Sequence, residues 1–343
     1  MSSKKVVVAM SGGVDSSVCA YLLKEKGYDV VGATMKLIDD EKTNIAINDA
    51  KEICAYLGIK HYVFDLVSEF KDIVINNFID AYKKGTTPNP CVVCNKYFKF
   101  GLFYKKSLEL GYDTIATGHF AKVENGCLKF SDTLNKDQSY FLYGIDKDVL
   151  NHVMFPLVGF ESKEDVRKTA EKAGLKVSSK KDSQEVCFVP NDDYKAFLEV
   201  NLGKQESGDI CLKDGTVLGR HNGLFNYTIG QRKGLNISYK EPLYVVEIDS
   251  VNNKVIVGSN DDLFHNDLIA KDVNLLVDSF PDEVYAKVRS RGNLKKVLVE
   301  FIGNDKVKVH FTEAERAITK GQSVVFYDKD NVCLGGGIIE EVL

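Results

Sequence analysis

What the chain lacks narrows it before anything else does. No apolar run approaches the roughly 20 residues that a membrane-spanning helix needs, and Met1-Ser2-Ser3-Lys4-Lys5 leads into a short strand rather than the core of a signal peptide. These absences predict no membrane partner and a cytoplasmic protein. In that compartment the eight cysteines are expected to be buried, catalytic or metal-binding rather than paired in disulfides. A positive surplus is missing too: 45 Lys and Arg face 49 Asp and Glu, a formal charge of -4. That balance excludes a protein coated in basic residues, so any nucleic-acid partner must meet a local basic face. Internal repeats and low-complexity tracts are absent. The 343 residues, 44% hydrophobic and 27% charged, predict two or three soluble compact units.

Two familiar phosphate-binding patterns are also missing. The segment Ser11-Gly12-Gly13-Val14-Asp15-Ser16-Ser17 has neither the Gly-Lys-Ser/Thr of a Walker A loop nor Gly-x-Gly-x-x-Gly. It follows the apolar run Val6-Val7-Val8-Ala9-Met10 and opens the helical stretch Ser17–Lys26, so it sits where a buried strand turns into a helix. Its glycines allow positive φ and close backbone approach, and the helix N-terminus supplies a positive dipole end. This is a phosphate cradle. It resembles the PP-loop of ATP pyrophosphatases, which adenylylate a carbonyl oxygen and release pyrophosphate.

Up to about residue 200, strand-like and helix-like stretches alternate. Val6–Met10, Val30–Met35, His61–Leu66 and Thr114–Gly118 are short apolar or β-branched runs, while Asn48–Leu57, Glu69–Lys83 and Phe100–Leu110 carry helical spacing. The alternation predicts an α/β fold with a parallel sheet covered by helices. Ligands bind at the carboxyl ends of such strands, so Ser11–Ser16, Met35 and Gly118-His119 are expected in one crevice. Ser162 and Asp165 form a capping box for a helix over Lys163–Ala173 that Gly174 stops, and this helix reads as scaffold. Beyond Gly203 the pattern changes to short alternating segments, among them Tyr244–Ile248, Lys254–Val257, Lys306–Phe311, Ser323–Tyr327 and Gly337–Val342. They predict an all-β half of two small units with a boundary near Phe264–Lys271.

Thr87-Pro88-Asn89-Pro90-Cys91-Val92-Val93-Cys94-Asn95 is a proline-restrained loop carrying Cys-x-x-Cys just before the helical stretch Phe98–Leu110. Thiols near a helix N-terminus have depressed pKa values. The pair alone is ambiguous between a redox couple, half a zinc site and cluster ligation, and the absence of a second Cys-x-x-Cys weighs against structural zinc. Cys187 follows Lys180-Lys181-Asp182-Ser183-Gln184-Glu185-Val186; the lysines favour its thiolate, while a small buried hydrophobe is an equal reading. His119, at the end of a sheet strand, is a site candidate. Lys136-Asp137-Gln138-Ser139-Tyr140-Phe141 mixes groups suited to nucleotides and to any solvated helix start. Gln231-Arg232-Lys233-Gly234, with His221-Asn222, gives the β half a basic loop, and Lys287, Arg289 and Arg291 alternate as along one strand face. Such alternation usually marks a solvated face unless an anionic partner is expected on other grounds.

Taken in order, the PP-loop, the Thr-Pro-Asn-Pro and Cys-Asn elements, Ala116-Thr117-Gly118-His119, Lys136–Phe141, Lys181–Phe188 and Thr228-Ile229-Gly230-Gln231-Arg232-Lys233-Gly234 resemble the bacterial tRNA-specific 2-thiouridylase family from Lys4 to Gly337. The resemblance implies a catalytic PP-loop (adenine nucleotide α-hydrolase-like) domain over 1–202, a small central β-rich domain over 203–266, and a tRNA-binding C-terminal β-barrel over 267–343. It implies ATP-dependent exchange of the C2 oxygen of the wobble uridine of tRNA for sulfur, through an adenylated uridine. The sulfur donor would be a persulfide carrier, a cysteine desulfurase or free sulfide. Carried over by position, Cys94 is the nucleophile, Cys187 the persulfide carrier, and Asp15 a catalytic residue acting with Mg2+. Ala9, Met10, Ser11, Gly12, Gly13, Val14, Asp15, Ser16, Met35 and Gly118 would hold ATP. Asn89, Pro90 and Cys91 would meet the target base; His119, Lys136, Asp137, Gln138, Arg289, Ser290 and Gln322 would touch tRNA.

One position departs from the pattern. The family's best-known members have aspartate where this chain has Cys91, so Cys91, Cys94 and Cys187 supply three thiolates that suit a [4Fe–4S] cluster with one iron open. Two other classes share parts of the pattern. A PP-loop ligase or amidotransferase-type synthetase would use the first motif without the three cysteines. A non-enzymatic RNA-binding module would use the basic loops without Ser11–Ser17.

Overall fold

The computed structural model describes residues 4–130, 137–179, 186–303 and 305–343. Its first unit is built on five parallel strands, β1 (Lys5–Ala9), β2 (Asp29–Lys36), β3 (His61–Asp65), β4 (Ile115–Ala116) and β7 (Val153–Met154), in the order β3-β2-β1-β4-β7. The central strand β1 is buried on both faces because its valines alternate sides. Val6 and Val8 pack with Val18, Leu23, Ile53 and Val166 on one face; Val7 packs with Phe103, Ile115 and Tyr140 on the other. The first face is covered by α1 (Val14–Glu25), α2 (Glu41–Tyr56) and the helix Lys163–Lys172. Helix α2 is longer than its periodicity predicts because Asp40 caps it, accepting from the Thr43 N–H at 2.7 Å. The expected strand over Thr114–Gly118 shrinks to Ile115–Ala116, which leaves Thr117-Gly118-His119 outside the ladder.

The Cys-x-x-Cys pair lies inside a helix, not in a loop before one. Helical backbone runs unbroken from Pro90 to Glu109, as an α turn Pro90–Cys94, π-helical turns Asn95–Leu102 and a closing α segment Phe103–Glu109. Asn89 caps its start, accepting from the Val92 N–H at 3.4 Å, and Pro90 occupies the first turn, where a missing N–H costs nothing. The π turns disrupt the 3.6-residue repeat, which is why sequence periodicity locates the helix only from Phe98 onward.

The β half forms two units. A four-stranded sheet has the order β10-β11-β8-β9, from β8 (Gly208–Leu212), β9 (Val217–His221), β10 (Tyr244–Asp249) and β11 (Lys254–Gly258). The last unit is a closed barrel of β12 (Phe264–Leu275), β13 (Val284–Lys287), β14 (Lys295–Phe301), β15 (Val307–Arg316), β16 (Ser323–Tyr327) and β17 (Cys333–Val342), in the order β12-β15-β14-β13-β16-β17, and the hairpin of β5 (Lys122–Glu124) and β6 (Cys127–Lys129) bridges to it at Lys129 and Val332. Strand β13 ends at Lys287, so Lys287, Arg289 and Arg291 do not share one solvated strand face. Lys287 is only 6% exposed, its Nζ 3.7 Å from the centre of the Phe130 ring.

Strand β16 joins the barrel to the first unit. Tyr140 donates to the Ser323 carbonyl at 2.9 Å, Tyr143 and Ser323 share a hydroxyl contact at 3.0 Å, and Ser139 and Tyr327 share another at 3.1 Å, all buried. Removing one partner strands a buried hydroxyl, whereas removing both costs little. Ser323→Ala is therefore expected to destabilise the chain by about 1–3 kcal/mol, and Tyr143→Phe on top of it to recover part of that loss in denaturant unfolding. Additive losses would show that the pair does not couple.

Candidate active site at the carboxyl edge of the sheet

Between β1 and α1 the chain folds into the cradle that its glycines predict. Gly12 has φ +68°, and a Cβ there would stand 2.5 Å from the Ala46 carbonyl oxygen. No L side chain fits. The turn is closed by its own hydroxyls: Ser16 donates to the Gly13 carbonyl at 3.2 Å and accepts from the Ser11 N–H at 3.2 Å, and Ser17 donates to the same carbonyl at 2.7 Å. Met10 and Val14 are buried beneath it, and Ala9 ends β1. Gly118 closes the far side, since a Cβ there would lie 2.9 Å from Asp15 Cβ and 3.2 Å from the Ser16 nitrogen.

Asp15 stands in the first turn of α1. One carboxylate oxygen pairs with the Lys163 ammonium; the other, Oδ1, is buried with no hydrogen-bond partner. A buried oxygen without a donor suits a cation, so the residues present fit a divalent ion, which Asp15 would hold.

One residue beyond Gly118, His119 leads to the sulfur side. Its Nδ1 lies 2.7 Å from Thr117 Oγ1 and its Nε2 3.3 Å from Lys99 Nζ. An ammonium can only donate, so Nε2 accepts and the ring proton sits on Nδ1. Burial, and then the Lys99 charge, hold the His119 pKa well below its usual value. Lys99 in turn faces Cys91, Cys94 and Cys187. It draws all three thiol pKa values down, while burial, the larger effect in each, pushes them up, that of Cys187 to about 12. Cys91 and Cys94 also raise the Cys187 value, so the three sulfurs lie within electrostatic reach of one another. The depressed thiol pKa expected from the helix N-terminus is overturned by desolvation. The lysines before Cys187, and Lys136, fall outside the described residues.

The structure brings the two halves together through Met35, which packs against the cluster holding Val7 and Ala33 and also against the one holding Cys94, Phe98 and Phe188. It does not arrange Cys91, Cys94 and Cys187 as metal ligands. Among the described residues no group of three or more His, Cys, Asp or Glu side chains could hold a metal ion. Cys94 is buried, whereas Cys91 and Cys187 keep solvent-exposed surface although protein atoms crowd their sulfurs, so the donor set is chemically right for a cluster and geometrically unassembled.

Several candidate tRNA contacts are tied into the protein. Gln138 accepts from the Phe120 N–H at 2.9 Å, and Asp137 accepts from the Ser139 hydroxyl at 2.5 Å. Arg289 donates to the Arg316 and Ala317 carbonyls at 2.7 and 2.8 Å, and Ser290 is half-buried beside it. Gln322 donates from the barrel to the Thr87 carbonyl at 2.9 Å and so holds the loop that leads to Asn89 and Pro90. Sequence reasoning missed Lys99 and Lys163. The signal for Lys99 was hidden by the π turns, which put a residue five positions after Cys94 near it. The signal for Lys163 was present, a cation in the first turn of a helix, where the dipole disfavours it.

Family models match all three units: a tRNA methyl transferase HUP domain over residues 4–191, a tRNA methyl transferase PRC-barrel domain over 195–259 and an aminomethyltransferase beta-barrel domain over 265–339. The chain is 46% identical to the tRNA-specific 2-thiouridylase MnmA of Clostridioides difficile (strain 630), covering 99% of both chains. It is 48% identical to MnmA 1 of Fusobacterium nucleatum subsp. nucleatum, covering 99% of this chain and 94% of that one. Among solved structures, a U34-tRNA thiolase NcsA from Methanococcus maripaludis with its [4Fe-4S] cluster is 23% identical over 58% of this chain and 66% of that one, with a TM-score of 0.37.

The desolvated thiols generate a testable profile. At pH 7, Cys187 should react with iodoacetamide far more slowly than a free cysteine, and its rate should still be climbing at about pH 9, where an ordinary thiol approaches its plateau. Peptide mapping of the alkylated protein checks this. A plateau near about pH 8.5 would mean that Lys99 outweighs burial.

Proposed function

The chain belongs to the tRNA-specific 2-thiouridylase family and is a tRNA-uridine 2-sulfurtransferase; from that premise we propose how its own residues divide the work. The reading is carried by one observation: Gly118 packs on Asp15 while the next residue, His119, binds Lys99 beside the three thiols. Nucleotide chemistry and sulfur chemistry are thus one residue apart.

In the first half-reaction, O2 of the wobble uridine attacks the α-phosphorus of ATP, and pyrophosphate leaves with the electron pair of the broken P–O bond. The Ser11–Ser16 cradle and the α1 N-terminus stabilise the phosphates. Asp15 would hold a Mg2+ ion, which when bound would neutralise part of their charge. In the second, the terminal sulfur of a persulfide on Cys187 attacks C2, and AMP departs carrying the former O2. The Cys94 thiolate then attacks the Cys187 sulfur, which releases 2-thiouridine and leaves a Cys94–Cys187 disulfide for an external dithiol to reduce. Lys99 favours the thiolates. Asn89 and Pro90 border the target base, and the exposed cations Arg232, Lys233, Arg289 and Arg291 meet tRNA phosphates.

A [4Fe–4S] cluster is the second reading, favoured by the approach of a third thiol, Cys91; the thiols would have to move into ligating positions to hold it.

Pyrophosphate release with and without uridine-containing tRNA separates this enzyme from a PP-loop ligase and from an RNA-binding module. Asp15→Ala should cut tRNA-dependent pyrophosphate release by about 100-fold or more. Cys94→Ala and Cys187→Ala should keep that release and lose 2-thiouridine, read by nucleoside mass spectrometry. Cys91→Asp decides the carrier: activity retained in iron-free protein supports the persulfide route, whereas anaerobic protein that loses iron, sulfide and thiolation together on this change establishes the cluster.

A further inference from the structure

Helix Lys163–Lys172 packs against α1 and presents its N-terminus beside the cradle. Ser162 caps it, accepting from the Asp165 N–H at 3.2 Å. The first residue, Lys163, is a cation placed against the helix dipole, where an acidic residue would be favoured. Its side chain is only 20% exposed, its ammonium meets Asp15, and it lies 5.7 Å from the centre of the Phe120 ring. Two helix N-termini and an ammonium therefore converge on a single carboxylate, one oxygen of which has no donor. Such a site is short of negative charge.

We propose that Lys163 is a further residue of the nucleotide site, a ligand for the pyrophosphate end of ATP that also competes with the divalent cation for Asp15. The proposal rests on the reading that Ser11–Ser16 cradle the phosphates of ATP, and it extends that reading to a residue outside the loop. The lysine on Oδ2 and a metal ion on Oδ1 draw on the one negative charge of Asp15, so each weakens the hold of the other. When Mg2+ takes Asp15, the ammonium is left facing the cradle, where the anion it can pair with is the β,γ-phosphate of the same nucleotide.

The two roles predict effects of opposite sign in one variant. Lys163→Gln should weaken ATP and pyrophosphate binding by about tenfold or more and tighten Mn2+ binding measured without nucleotide. Lys163→Arg should restore pyrophosphate affinity. Titration calorimetry reads the anions, and electron paramagnetic resonance reads free Mn2+. Should Lys163→Gln fold poorly, the native protein carries the test: pyrophosphate should protect Lys163 from acylation by an N-hydroxysuccinimide ester, and Mg2+ alone should increase its labelling. Wild-type affinities in Lys163→Gln, or labelling indifferent to both ions, would overturn the role of Lys163 and leave the cradle standing. A native chain that binds no ATP would overturn the cradle and Lys163 together.

Discussion

The contact between Gly118 and the first turn of α1 is the constraint on which the site depends. With a Cβ position 2.9 Å from Asp15 Cβ, the segment after β4 can approach α1 only because Gly118 has no side chain. That approach sets the direction in which His119 leaves the sheet, and hence where Lys99 can find an acceptor. It also presses the Thr117 carbonyl toward the buried Cys19 thiol, 3.6 Å away. A methyl group at Gly118 would push the segment after β4 away from the first turn of α1.

The second layer of organisation runs from the barrel. Strand β16 binds the segment 139–143 through hydroxyls, and that segment is continuous with Gln138, which pairs with Phe120 just past His119. On another side Gln322 and the Lys320 carbonyl hold Thr87. Buried polar bonds of this kind are directional, so they fix register where apolar packing alone would allow sliding. The barrel thus acts on both walls of the crevice.

Much of this was legible in the sequence. Apolar runs bounded by turn residues located β1, β2 and β16, because burial on both faces leaves an unmistakable pattern; β3, half-buried or exposed throughout, was marked by its β-branched and aromatic residues instead; and Ser11–Ser17 located the cradle, because few residues other than glycine tolerate its geometry. The start of the Cys91–Cys94 helix was hidden by π turns. The thiol pKa values were misjudged because helix dipoles are visible in sequence and desolvation is not. For Lys163 the local sequence carries a hint, a cation in the first turn of a helix, but not the identity of the partner, which lies 148 positions away in the chain. The bond from Gln322 to the Thr87 carbonyl, 235 positions away, is equally invisible in the local sequence.

The hold of the barrel on Thr87 bears on how separable the units are. A gene fragment ending before β12 would still encode the sheet, α1 and the glycine turn, since none of these bonds to the barrel through its backbone. It would lose Gln322, the Lys320 carbonyl and the close seat of Gly321 against Thr87. Such a fragment keeps the glycine turn and releases the loop that leads to Asn89 and Pro90. It also strips Leu276, Val325, Tyr327 and Cys333 from the cluster that holds Val7 and Val31, so the barrel is a wall of the sheet's own core and could be exchanged for another only by repacking that core.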